Sequence, residues 1–175
     1  EPLDPPHGII ILMHKPCGIV CSHDINEGRL VYDLLPERWR LRDPKISTIG
    51  RLDKDTSGLI LLTDNGQLLH ELTSPKHHVN KTYSVTLSRP LDQETIQIFN
   101  SGSLMLKGET TPCKPAILDI IDSTHAIITL QEGRYHQVRR MFAAIGNHVE
   151  TLERIKFGPL DLQGLAPGEY KLISK

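Results

Sequence analysis

The chain has 175 residues, of which 38% are hydrophobic and 23% are charged, as is typical of an ordinary globular protein with a real core. Its formal net charge of −1 excludes a basic field over the whole molecule, so a nucleic acid would have to bind a local cluster of cations. No apolar run approaches the roughly 20 residues of a membrane helix. The three cysteines match no zinc or disulfide spacing, and we expect them to be thiols.

The predicted elements alternate along the chain, with strands outnumbering helices. The opening EPLDPPHG has three prolines in eight residues and predicts a linker over residues 1–8. Apolar or alternating runs predict strands at 9–13, 19–22, 58–63, 81–88, 115–121, 125–131, 148–155 and 169–173. Helical spacing and capping residues predict helices at 66–75, 91–102 and 136–147, and residues 29–42 predict a short helix that fades at Pro36. The fold class is therefore α+β, a mixed, mainly antiparallel sheet with flanking helices.

The stretch IGRLDKDTSGLILLTDNG, residues 49–66, places acids at positions that suit a calcium-binding loop. Asp53, Asp55 and Asp64 fall at the first, third and twelfth positions of that loop. The flanking residues are not helical, however, and the ninth position is Leu61, which cannot bind an ion. We therefore regard the calcium match as a coincidence of turn chemistry.

Asp53 is the strongest candidate in this stretch for a functional carboxylate. Arg51 and Lys54 place a cation on each side of it and favour its ionised form. A half-buried charged aspartate also needs a fixed cationic partner from elsewhere in the fold. Asp55 is better explained as a turn residue that bonds its own backbone.

The segment EGRYHQVRRM is a second source of charge, because its cations have no interleaved acid. They are Arg134, His136, Arg139 and Arg140. A solvated helix face is one explanation, and phosphate binding at a helix start is the other. Residues 38–54 add six cations that could extend the same basic surface: Arg38, Arg40, Arg42, Lys45, Arg51 and Lys54. A carboxylate inside a phosphate-binding surface indicates chemistry on a nucleic acid rather than binding alone.

Three segments together resemble the signature motifs of the RNA pseudouridine synthases: GRLDKDTSGLILLTDNG, KTYSVTL and EGRYHQVRRMFAAIGNHV. The resemblance spans essentially the whole chain and is to the subgroup that acts on single uridines in bacterial ribosomal RNA. SPKHHVNKTYSVTL and GRYHQVRRMFAAIGNHV are most similar to the enzymes of small-subunit (16S) rRNA. Family members usually begin with a small S4-type RNA-binding module, which nothing here resembles.

The resemblance implies a catalytic domain over residues 9–175, with two lobes sharing one twisted sheet and an active cleft across its middle. It makes Asp53 the catalytic aspartate and Tyr83 the residue that stacks against the target base, although strand tyrosines usually serve only packing. Arg139 matches the basic residue that pairs with the aspartate, and Arg140 is the alternative if the register shifts by one. Arg51 would contact RNA near the extruded nucleotide.

The implied partner is ribosomal RNA, either naked or in an assembling small subunit, and we expect a cytoplasmic monomer. Arg134, His136 and Arg140 would contribute to RNA binding. No metal or cofactor is expected, since the reaction is an isomerisation and the sequence has no Rossmann, P-loop or zinc spacing. His77 and His78 are expected to contact phosphate or to be exposed. The alternatives are a large-subunit rRNA target and a non-catalytic RNA-binding module.

Overall fold

The computed structural model describes residue 4 and residues 8–74 and 79–173. Most of the predicted linker, and the predicted histidines His77 and His78, lie outside the described residues. The chain divides into two compact units. Unit 1 comprises Glu1–His77 and Asp161–Lys175, and unit 2 comprises His78–Leu160.

The described residues form short helices and a larger number of strands. The strands are β1 (Ile10–Lys15), β2 (Ser47–Thr48), β3 (Thr56–Thr63), β4 (Lys81–Leu87), β5 (Ile117–Asp122), β6 (His125–Leu130), β7 (Val149–Phe157), β8 (Leu160–Asp161) and β9 (Tyr170–Ile173). The α-helices are α1 (Glu37–Arg40), α2 (Gly66–Thr73), α3 (Glu94–Asn100) and α4 (Gln137–Ala144). Single 3₁₀ turns occur at Ile25–Glu27 and Val31–Leu34. In this part of the chain no helix is long and apolar enough to cross a membrane.

Unit 1 is built on β1, which lies between β3 and β9 and is antiparallel to both. The register pairs Leu12 with Leu61 and with Lys171, and β2 extends the sheet on the far side of β3. All six residues of β1 are buried, including His14 and Lys15 at its end. A strand covered on both faces is expected to be a continuous apolar run, as IIILM is.

Unit 2 has its own antiparallel arrangement, in the order β5, β6, β4, β7. Its core includes Val138, Met141 and Phe142 of α4, whose spacing is that of one helix face. Phe142 meets Phe99 of α3 edge to face, with ring centroids 5.0 Å apart. These contacts confirm the predicted amphipathic helix and the mainly antiparallel α+β fold.

Two predicted elements differ from the structure. Residues 29–42 form a 3₁₀ turn before Pro36 and the one-turn helix α1 after it, instead of one short helix that fades at Pro36. Proline disfavours helical geometry in the residue before it, and Leu35 accordingly adopts an extended conformation ahead of Pro36. The predicted strand at 19–22 is reduced to one bridge between Val20 and Leu30.

The geometry of β3 excludes the calcium loop. This eight-residue strand separates Asp55 from Asp64 and spans about 26 Å, far more than the width of an ion site. The Asp64 carboxylate is buried and accepts hydrogen bonds from the backbone N–H groups of Gly8 and Ile9, both at 2.9 Å. Arg42 donates to its other oxygen from Nε at 3.0 Å and Nη2 at 2.8 Å. Asp64 is therefore a structural ion-pair residue.

A buried ammonium ties the loop that follows Asp53 to the end of β1. Lys15 is fully buried, and its Nζ donates to the carbonyls of Pro16 at 3.0 Å, Lys54 at 3.4 Å and Thr56 at 2.8 Å. Burial lowers the pKa of Lys15 below its ordinary value of 10.5, and nearby acidic groups, Asp53 among them, oppose that shift. The backbone carbonyl oxygens thus accept the hydrogen bonds that this ammonium would donate to water if it were exposed.

Replacing Lys15 with methionine should destabilise the fold, because Met keeps the apolar stem but leaves buried carbonyls without their donor. The free energy of unfolding should fall by about 1–3 kcal/mol, measured by urea denaturation. Lys54→Met is the matched control, since Lys54 is an exposed lysine of the same loop, and it should change stability by less than about 0.5 kcal/mol. Equal stability of the two variants would contradict the anchoring role.

Candidate active site

Asp53 lies in the short loop that leads into β3 of unit 1. Leu52 before it is buried, and Arg51 and Lys54 are exposed. Asp53 itself is half-buried. Its carbonyl accepts the Thr56 N–H at 3.0 Å, which closes a turn at the start of the strand. The backbone on the C-terminal side of the carboxylate is therefore held by this turn and by the Lys15 ammonium.

Tyr83 lies on β4 of unit 2 and is half-buried against the core. Its cross-strand neighbours are Ile128 on β6 and the buried Arg154 on β7, with an irregular register between Thr82 and Tyr83. Lys81, on the same face of β4 two residues earlier, has a pKa lowered by burial and, to a lesser extent, by the charge of Arg154. Sequence reasoning missed these two cations beside the tyrosine, although Lys81 stands within the quoted KTYSVTL motif.

Arg134 binds protein oxygens with each of its guanidinium nitrogens. Nε donates to Glu132 at 3.2 Å, Nη1 to the carbonyl of Thr111 at 2.8 Å, and Nη2 to the carbonyl of Pro112 at 2.7 Å. Its side chain is only 18% exposed. These contacts show that Arg134 joins the loop before α4 to the segment before β5, and its contact with RNA stays a prediction.

Arg140 on α4 makes a similar set of contacts. Its Nη1 donates to the Glu109 carboxylate and to the carbonyl of Tyr135, both at 3.0 Å, and Nη2 donates to the carbonyl of Lys107 at 2.9 Å. The expectation of an un-neutralised arginine cluster is therefore wrong for Arg134 and Arg140. Glu132 and Glu109 pair with them, and Glu109 is too distant in sequence to belong to the motif.

Arg139, the neighbour of Arg140 on α4, has different surroundings. It is half-buried, and its Nη1 makes a long hydrogen bond of 3.4 Å to the carbonyl of Val149. Because the Arg140 fork is committed to the segment 107–109, Arg139 is the better candidate for pairing with a catalytic carboxylate. That pairing stays a prediction.

His136 is the residue immediately before α4, and its backbone is left-handed, with φ 48° and ψ 37°. Its ring stacks on that of Tyr135, with centroids 3.9 Å apart and planes 19° apart. The basic segment 38–54 is also partly neutralised, because Arg42 binds Asp64 and Arg38 binds Asp4 at 3.0 Å. The predicted extension of the basic surface is therefore wrong for Arg42, whose side chain is only 11% exposed and pairs with Asp64.

The described residues contain no group of three or more His, Cys, Asp or Glu side chains that could hold a metal ion. All three cysteines lie in the described part of the chain, and none forms a disulfide. Cys17 is exposed, and Cys21 and Cys113 are buried.

Comparison with known proteins identifies the family. The model of the family described as RNA pseudouridylate synthase matches residues 9–144. "Ribosomal small subunit pseudouridine synthase A" of Pasteurella multocida is 46% identical over 168 residues, covering 95% of this chain and 71% of the relative. The protein of the same name from Escherichia coli (strain K12) is 45% identical over 179 residues, covering 100% of this chain and 75% of the relative.

A solved structure described as a pseudouridylate synthase has the same fold. It matches with a TM-score of 0.88 and 45% sequence identity, covering 95% of this chain and 70% of that one. Residues 9–144, which match the family model, include Asp53, Tyr83 and Arg139, the three residues to which the resemblance gives catalytic roles. With this much of the chain covered at such identity, the protein belongs to the RNA pseudouridylate synthase family and is an isomerase of RNA uridine.

Proposed function

We propose that this chain converts a specific uridine of small-subunit (16S) ribosomal RNA to pseudouridine. The observation that carries the proposal is the 45–46% identity to relatives named for the ribosomal small subunit, over 95–100% of this chain. The proposed substrate is the RNA itself or an assembling small subunit. We also propose that the protein acts as a monomer in the bacterial cytoplasm.

The reaction breaks the bond between C1′ of the ribose and N1 of uracil, turns the base, and rejoins it to C1′ through C5. The C5 proton is lost at the end, N1 regains a proton, and no net oxidation occurs. The sugar passes through an electron-poor state similar to that of glycoside cleavage. Uracil leaves as a delocalised anion, so a second carboxylic acid is not required.

In this proposal Asp53 is the catalytic carboxylate. It either captures C1′ covalently or removes the neighbouring C2′ proton, and both routes require its ionised form. The half-buried position of Asp53, with Lys15 beneath the same loop, supports the assignment. A carboxylate on a fixed backbone has less positional freedom to lose when the ribose approaches.

Tyr83, Arg139 and Arg51 have the supporting roles in the proposal. The target uridine must leave its strand, at a cost of a few kcal/mol, and stacking on Tyr83 offsets about 1–3 kcal/mol of that cost. Arg139 orients Asp53 and keeps it ionised, since a guanidinium fork matches the geometry of a carboxylate. Arg51 is exposed and is proposed to contact the RNA backbone beside the extruded nucleotide.

Asp53→Asn should abolish pseudouridine formation while leaving the fold and RNA binding intact. We expect kcat to fall at least about 100-fold, measured by tritium release from small-subunit rRNA labelled at C5 of uridine. Asp55→Asn is the matched control, because it removes an exposed carboxylate two residues away, and it should retain near-normal kcat. Chemical mapping of pseudouridine in the same RNA would name the target nucleotide.

Two outcomes would contradict the proposal. Substantial activity in Asp53→Asn would remove the catalytic role of this residue. Salt-dependent RNA binding by the wild-type protein, without tritium release, would instead favour the non-catalytic RNA-binding module.

Arg139→Ala and Arg140→Ala should affect different properties of the protein. Loss of Arg139 should lower kcat about 10- to 100-fold, because a hydrogen bond to a charged group contributes about 1.5–3 kcal/mol. Loss of Arg140 should lower the free energy of unfolding by about 1 kcal/mol and leave kcat largely unchanged, because its partners are Glu109 and backbone carbonyls. The reverse pattern, in paired kinetic and urea-denaturation measurements, would assign the aspartate partner to Arg140.

A further inference from the structure

An exposed aromatic ring stands on the loop that precedes α4. Tyr135 is 76% exposed, whereas Tyr32 is buried and Tyr83 and Tyr170 are partly buried. One exposed apolar side chain is common on a protein surface and needs no explanation by itself. The surroundings of Tyr135 are what distinguish it.

The ring is held in place rather than loose in solvent. One face stacks on His136, with centroids 3.9 Å apart, and its high exposure leaves the other face open. His136 has the left-handed backbone conformation, which is strained for a non-glycine residue and persists only where surrounding contacts impose it. The two adjacent rings are therefore presented as one preformed stack.

The backbone below this stack is fixed on both sides. The Tyr135 carbonyl accepts from Arg140 at 3.0 Å, and that guanidinium also binds Glu109. On the other side, the Arg134 N–H donates to the side chain of the buried Gln137 at 2.9 Å. A ring on a fixed loop loses little conformational entropy when a flat ligand covers it.

The position of the loop and the nearby charges indicate the ligand. Residues 131–136 follow β6, whose last residue Leu130 pairs with Lys81, the first residue of the strand that carries Tyr83. A Cβ added at Gly133 would lie 3.4 Å from the Lys81 ammonium, so the loop leaves the sheet beside the start of that strand. The cations around this loop, Lys81, Arg134 and Arg140, outnumber the two carboxylates that pair with arginine there, Glu109 and Glu132, so the surroundings keep an excess of positive charge. A flat ligand that carries anionic groups suits an exposed ring in such surroundings, and an unpaired nucleobase with its phosphates has that chemistry.

We propose that Tyr135, backed by His136, is a stacking platform for an unpaired nucleobase of the RNA other than the target uridine. This inference rests on the proposed function, in which Tyr83 receives the target base. The platform would hold a nucleotide near the target in its single-stranded conformation. It would thereby select RNA segments that are already unpaired, since a base inside a duplex has no free face to offer.

The test compares Tyr135→Ala with Tyr135→Phe, which keeps the ring and removes only the hydroxyl. The probe is a short oligouridine with a single 2-aminopurine, whose fluorescence changes when the base stacks. We expect Tyr135→Ala to bind about 5- to 100-fold more weakly than wild type and to lose most of the fluorescence change. Tyr135→Phe should bind within about twofold of wild type, and both variants should keep the wild-type melting temperature because the side chain is exposed.

A second measurement separates this inference from the proposed function. With small-subunit rRNA as substrate, Tyr135→Ala should raise KM by a similar factor and leave kcat nearly unchanged. Wild-type affinity and KM in Tyr135→Ala would overturn the platform while leaving the isomerase function intact. Equal losses in Tyr135→Phe and Tyr135→Ala would also overturn it, because the hydroxyl would then be responsible. If wild type forms no pseudouridine but Tyr135→Ala still loses binding to the oligouridine, the proposed function fails and the platform stands.

Discussion

The buried ammonium of Lys15 is the interaction on which the rest of unit 1 depends. A fully buried lysine is costly unless each of its donors finds an acceptor, and here the acceptors are the carbonyl of Pro16 and those of Lys54 and Thr56 in the Asp53–Thr56 turn. The same contact therefore satisfies the cation and fixes the backbone that follows the carboxylate. It also places a positive charge near Asp53 from within the protein. Stability and the electrostatics of the proposed catalytic group are consequently coupled through one side chain.

Unit 2 uses a comparable principle with arginine. Arg134 and Arg140 hold the loop before α4 by binding backbone carbonyls and the carboxylates of Glu132 and Glu109. These networks are half-exposed, so each ion pair contributes modestly to stability. Their larger effect is geometric, because they fix the strained residue His136 and the carbonyl of Tyr135. Arg134 and Arg140 thus fix the conformation of this loop and of the start of α4.

The sequence predicts what local periodicity controls and misses what depends on distant partners. The apolar spacing of Val138, Met141 and Phe142 predicts α4 correctly, and IIILM predicts β1. The short helix expected in 29–42 ends at Pro36, as the proline predicts, but it is only a 3₁₀ turn, and the helical turn α1 that follows Pro36 is not predicted. Asp53, Tyr83 and Arg139 are proposed as site residues from motifs alone, whereas the Arg140 partner Glu109 lies 31 residues away in sequence. No spacing rule could reveal that partner, and the same holds for Arg42 and Asp64, which are 22 residues apart.

The internal pairing of arginines has a consequence for how a nearly neutral protein can bind a polyanion. Arg38, Arg42, Arg134 and Arg140 each bind a carboxylate of the protein, so they release fewer counterions from RNA than free cations would. The electrostatic share of RNA affinity is therefore smaller than the count of arginines in the motifs indicates. Stacking between bases and aromatic rings neutralises no phosphate charge and requires bases that are unpaired. A protein that relies more on stacking than on phosphate neutralisation gains preference for single-stranded segments, which is the structural context in which a uridine can be turned over and rejoined.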